Sequence, residues 1–142
     1  MPFVLAFLLS LLASNPKSEI NTESDSLALR GYDAVAYFTD AQAVRGLAEF
    51  EVTWKSARWR FASAAHRDQF IKAPGQYAPQ FGGYCAWAVA HNYTADGDPN
   101  AWKIVDGKLY LNYSKRVQKK WETDIPGFIR QGEANWPGVL TK

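Results

Sequence analysis

Trp102-Lys103-Ile104-Val105-Asp106-Gly107-Lys108-Leu109-Tyr110-Leu111 is the stretch from which the fold is read. An Asp-Gly pair between two runs of alternating apolar and polar residues is a type I′ turn signal, because both central residues of that turn need positive φ. Such a turn sets Ile104 opposite Leu109 and Trp102 opposite Leu111 on one face, with Lys103 opposite Tyr110 on the other. Upstream, Phe50-Glu51-Val52-Thr53-Trp54 and Trp59-Arg60-Phe61 alternate in the same way. A four-residue turn over Lys55 to Arg58 brings Trp54 opposite Trp59 and Val52 opposite Phe61, so a second hairpin is expected there.

Helix signals follow each hairpin. Ser63 is a suitable N-cap for a helix from Ala64 to Lys72, which Pro74 and Gly75 terminate. Ser114 caps Lys115 to Glu122, and Asp124 caps a last helix that opens with Ile125-Pro126, proline being tolerated in a first turn. That helix ends near Asn135. Hairpin, helix, hairpin, helix predicts an α+β fold: a small antiparallel sheet built from two β-hairpins, with helices packed on one side.

A chain of 142 residues fits one domain with a modest core, and 15% aromatic residues, six of them Trp, predict that the core is aromatic-rich. The net charge of +2 is far below that of a nucleic-acid-binding footprint, so no nucleic-acid partner is expected. The basic residues are scattered apart from Lys115-Arg116 and Lys119-Lys120, a cluster that reads as a solvated helix face. Residues 1–14 form a signal-like apolar segment, with Phe3 to Leu12 of secretory h-region length and too short to span a bilayer comfortably. Only Met1 and Pro2 precede it, so the positive n-region is missing. The alternative is an uncleaved tether, the one route by which a membrane partner enters. Either reading puts the domain in the periplasm or another extracytoplasmic space. Residues 15–26, polar and rich in Ser, Asn and Glu, read as a disordered linker, and 27–142 as the folded domain.

An exported chain with one cysteine forms no internal disulfide. Cys85 is then buried and inert, paired with a partner, or used in chemistry. It sits in Tyr77-Ala78-Pro79-Gln80-Phe81-Gly82-Gly83-Tyr84-Cys85-Ala86, where Gly82-Gly83 predicts a tight bend that delivers Tyr84 and Cys85 to a defined place. His66 lies in the first turn of the helix capped by Ser63, on the face that also carries Phe70. The macrodipole there disfavours added positive charge, and a neutral imidazole binds metals or accepts protons. His91, in a polar loop, reads as a surface residue.

Several segments together resemble the YHS domain family. They are Arg30-Gly31-Tyr32-Asp33-Ala34-Val35-Ala36-Tyr37-Phe38, Trp59 to Ser63 with His66-Arg67-Asp68-Gln69-Phe70, Tyr77 to Ala86, Asp98 to Trp102, and Asp106 to Ser114. The resemblance runs from about Leu29 to Trp136 and is closest to the small exported bacterial type. It implies a YHS/TRASH-like fold. YHS domains also occur on copper-transporting ATPases and some metal-dependent oxygenases, so the resemblance implies a metal-ion role, with Asp33, His66 and Cys85 at the matching positions. Metal-handling relatives often present a pair of cysteines where this chain has Cys85 alone. A closed structural zinc site normally takes four Cys/His ligands, so an open site is implied. Thiolate and imidazole favour copper, then zinc. Tyr77, Tyr84 and Trp87 are the aromatic residues expected to shield such a site or line a ligand pocket. The expected partner is a metal ion or a metal-handling protein. Two alternatives stand beside this reading. One is a thiol-based redox protein in which His66 activates Cys85. The other is a non-catalytic structural or ligand-binding module, and the absence of a resolving cysteine or an oxyanion-hole glycine signature leans away from an enzyme.

Overall fold

The computed structural model describes residues 15–23 and 25–142, so the apolar segment 1–14 lies outside the described residues. The chain forms a short helix α1 (Ala36–Thr39), a hairpin of β1 (Leu47–Trp54) and β2 (Ala57–Phe61), and then α2 (Ala64–Lys72), α3 (Pro74–Tyr77) and α4 (Ala86–Ala90). A second hairpin, β3 (Asp98–Val105) and β4 (Lys108–Asn112), leads into α5 (Lys115–Trp121) and α6 (Ile125–Asn135).

The fold is α+β, but the hairpins do not join: each is its own two-stranded antiparallel sheet. The second hairpin has the expected register, with Ile104 opposite Leu109, Lys103 opposite Tyr110 and Trp102 opposite Leu111. Gly107 turns at φ +74°, and a Cβ there would meet open space. The first hairpin differs. Trp54 pairs with Ala57 and Val52 with Trp59, so the turn has two residues, Lys55 and Ser56. Both take left-handed φ, 50° and 60°, without a glycine. The slide by two leaves the apolar face unchanged, because strand side chains alternate with period two. It also lets the Trp59 indole nitrogen donate to the Trp54 carbonyl at 3.0 Å while the two rings meet edge to face.

The helices do not all lie on one side either. Leu109 and Leu111 of β4 belong to a buried cluster with Trp59, Phe61 and Phe70 from the first hairpin and α2. Tyr110, between them, points into a second cluster with Val89, Trp121 and Val139. Since all three β4 side chains are buried, both faces of that strand need a cover. The first hairpin supplies one and α4 to α6 the other. The helix caps are as the sequence predicts. Ser63 Oγ accepts from the His66 amide, Ser114 Oγ from the Val117 amide, and Asp124 Oδ1 from the Gly127 amide. Pro74 does end α2, although it also opens α3.

The segment expected as a disordered linker is instead a strap over the domain. The Lys17 amide donates to the Leu140 carbonyl and the Asn21 amide to the Gly82 carbonyl, both at 2.8 Å. The Tyr84 hydroxyl donates to the Ser18 carbonyl at 2.7 Å, Lys55 pairs with Glu19, and Ile20 is buried. A polar composition conceals this, because one apolar side chain and backbone hydrogen bonds do the holding.

Candidate functional site

Asp33 is fully buried, at 0% exposure, and its carboxylate is a junction. Oδ1 accepts from the amides of Val35 and Ala36 at 2.8 and 3.1 Å, an Asx-type turn that starts α1. Oδ2 accepts from the Ala62 amide at 2.9 Å, just past β2, and from His66 Nδ1 at 2.7 Å. A carboxylate offers about four lone-pair directions, and four donors occupy them. The group thereby ties α1, the end of β2 and the start of α2 together.

His66 is held at both ring nitrogens. An ionised carboxylate only accepts, so Nδ1 carries the proton shared with Asp33. Nε2 faces the Thr39 hydroxyl at 3.2 Å, at the last residue of α1. The side chain is 16% exposed, so the imidazole is seated in the fold with one edge near solvent. Thr39 carried no sequence signal, since its role depends on a helix end arriving beside α2.

Cys85 is reached as the glycine pair predicts. Phe81, Gly82 and Gly83 take φ of 56°, 64° and 85°, and the bend hands Cys85 to the start of α4. The thiol is 1% exposed and donates to Asn112 Oδ1 at 3.6 Å. The same oxygen accepts from the Trp87 amide at 3.0 Å, so Asn112, buried at the end of β4, fastens the first turn of α4. Asn112 was missed in the sequence, where a polar residue after Leu109-Tyr110-Leu111 looks like a strand end facing water. Burial pushes the Cys85 thiol above its ordinary value, against hydrogen bonds from the backbone of Ala88, Tyr113 and Trp87. A nucleophilic or metal-binding cysteine needs the opposite shift.

The structure therefore brings Asp33 and His66 together, while Cys85 shares no hydrogen bond with either. Among the described residues, no group of three or more His, Cys, Asp and Glu side chains is placed to hold a metal ion. The donor set does not fit a shared Cys85–His66 centre: the carboxylate is saturated, and the thiol is enclosed and hydrogen-bonded to Asn112. The aromatic trio is divided: Tyr77 packs on the first core cluster, while Tyr84 and Trp87 belong to the second. Tyr77 packs edge-on against Phe38, and Trp87 stacks on His91 and Phe128. Tyr84 lines an open groove of about 500 Å³ with Lys17, Asn21, Asp96 and Tyr113. His91 is exposed, as expected.

The fold and this junction define a small α+β domain with a buried carboxylate–histidine pair. Comparisons of the chain with protein-family models, with curated proteins and with solved structures find no match.

The enclosed thiol carries a prediction. Iodoacetamide should label Cys85 in native protein only at the rate of unfolding, whereas rapid labelling at neutral pH would contradict the burial argument. The folded thiol also holds its proton to higher pH than the unfolded chain does. Its contribution to stability is complete below the ordinary value of about 8.5 and is lost as pH rises through the folded one. Burial raises the Tyr37 phenol as well, with the same sign and a start at about pH 10. The urea midpoint should therefore fall progressively above about pH 8.5.

Proposed function

We propose that the protein is a small extracytoplasmic domain of the YHS type, a non-catalytic structural module with its motif side chains committed to architecture. The observation that carries this reading is the Asp33 carboxylate with all four acceptor positions filled, three of them by backbone amides. A carboxylate so engaged has no free lone pair for a substrate or a metal. Cys85, enclosed and hydrogen-bonded to Asn112, lacks the accessible thiolate that a redox or nucleophilic role needs. Export is supported by the apolar run Phe3 to Leu12 alone.

One observation favours a second reading, in which a copper or zinc ion is bound at His66. An imidazole whose Nδ1 is held by a carboxylate is oriented as in metal-ligating histidines, and Nε2 could take a metal in place of its contact with the Thr39 hydroxyl. His66 would then be the only ligand from the motif, and the remaining positions would fall to water or a metal-handling partner.

A copper and zinc titration of the reduced protein, followed by desalting and elemental analysis, separates the two. The architectural reading expects no metal retained by the wild type, and a Cys85→Ala variant that is less stable by about 1–3 kcal/mol with unchanged metal content. Near-stoichiometric retention, lost in His66→Ala and kept in Cys85→Ala, would replace it with the second reading. Retention lost in both variants would restore a joint Cys85–His66 site.

A further inference from the structure

The strap of residues 17–22 is held by the body of the domain at five points. Its backbone bonds go to Leu140 and Gly82, its Ser18 carbonyl accepts from Tyr84, and Glu19 pairs with Lys55 at 2.7 Å. Ile20 enters the buried cluster that holds Trp59 and Ala78. The body is shaped for this segment, since Gly82 leaves its Cβ position empty where the Glu19 carbonyl lies. Cavities of about 170 and 300 Å³ flank the strap, both lined by Glu19, Ile20 and Lys55, so it bridges an open groove. None of these contacts requires strap and groove to belong to one chain.

The link between strap and body is strained. Thr22 faces Ala28 in an antiparallel bridge, so the backbone reverses between them. Inside the reversal, Asp25 and Ser26 take left-handed φ of 52° and 64° without a glycine, a costly conformation for a residue with a Cβ. The body begins directly beyond, where Leu27 bridges Arg58 and the Ala28 amide donates to the Arg58 carbonyl. A short strained link between a segment and its own docking groove favours exchange of that segment between copies. Straightening the link gives up the Thr22–Ala28 bridge, releases the strain and keeps every docking contact.

We propose that two copies of this chain exchange straps, residues 17–22 of each lying in the groove of the other. The occupant follows from what the structure already seats there: a carboxylate on Lys55, an isoleucine in the core cluster, and backbone donors opposite Gly82 and Leu140. Only a segment with this sequence is seen to satisfy all of them, and a second copy carries it. Each copy gives one strap and one groove, so the contact is isologous and closes as a dimer. The inference does not depend on the reading of Asp33, His66 or Cys85.

The test uses the full chain in two forms, unlabelled and labelled with heavy nitrogen. The two are unfolded together in urea and refolded at about 0.5 mM, where mass action favours a dimer. A carbodiimide then joins the Glu19 carboxyl to the Lys55 amine as an amide, which needs the two groups in contact. Mass spectrometry reads whether the linked peptides carry one isotope or both. Exchanged dimers of randomly paired chains should give both isotopes in about half of these links. The Lys103–Glu122 pair lies within the body and should link with one isotope only. Mixed Glu19–Lys55 links should become rare after refolding at about 1 μM. Asp25→Gly combined with Ser26→Gly relieves the strained link and should lower the mixed fraction at least about fivefold, with circular dichroism verifying the fold. Single-isotope Glu19–Lys55 links at the high concentration would overturn the proposal, even if dimers form through another surface. Equal mixing at Lys103–Glu122, or an unchanged mixed fraction in the glycine variant, would overturn it as well.

Discussion

Asp33→Ala is expected to destabilise the protein by about 3–5 kcal/mol in urea unfolding, the largest effect of any single polar substitution described above. Removing the fully buried carboxylate leaves the amides of Val35, Ala36 and Ala62 and the His66 Nδ1 proton without their acceptor. Each orphaned buried donor costs about 1–3 kcal/mol, with relaxation reducing the sum. Asp33→Asn keeps the shape but turns an N–H₂ group toward donors, so it should recover only part of the loss. His66→Ala removes one of the four donors and leaves the carboxylate with its three backbone partners. It should cost much less than Asp33→Ala. A loss below about 1 kcal/mol in Asp33→Ala would mean that the junction is not what holds α1 and α2 in place.

Gly82→Ala should follow, at about 2–4 kcal/mol. Gly82 has φ +64°, where a side chain carries a strain of about 1–2 kcal/mol. More costly is what the Cβ meets, which is the backbone carbonyl of Glu19 in the strap. A backbone cannot step aside as a flexible side-chain tip does. The segment must lift, taking with it the bond from the Asn21 amide to Gly82, the Tyr84 contact with Ser18 and the burial of Ile20. Gly107→Ala is the matched control, with φ +74° but nothing within 4 Å of the added atom. It should lose the strain alone. Hydrogen exchange of residues 17–22 should rise sharply in Gly82→Ala and not in Gly107→Ala. Equal behaviour of the two variants would show that the strap does not depend on the missing Cβ.

The two sites divide what could be read in the sequence from what could not. The glycine pair was legible as a bend that places Tyr84 and Cys85, since positive φ is a local demand. That its empty Cβ position accommodates residues 17–22 was not legible, because the strap's polar composition matches that of a flexible tail. His66 was legible as a residue on the core side of its helix. Its partners Asp33 and Thr39 lie 33 and 27 residues away and meet it only when α1 is laid against α2. Of the aromatic residues Tyr77, Tyr84 and Trp87, close in sequence, Tyr77 packs on the first core cluster and the other two on the second, with the bend at Gly82-Gly83 between them.

By itself the sequence determined several features whose causes lie within about four residues. The Asp106-Gly107 turn carried the register of the second hairpin as far as the pairing of Trp102 with Leu111, and Ser63, Ser114 and Asp124 placed three helix starts. Tertiary structure alone decided how far the first hairpin slides, which surfaces cover the two faces of β4, and where the acceptors Asp33 and Asn112 spend their lone pairs. The physical reason is that periodicity states which side of a strand or helix is apolar and not what will lie against it. A polar side chain likewise carries its hydrogen-bonding capacity in its chemistry, while its partner is chosen only when distant segments pack together and exclude water.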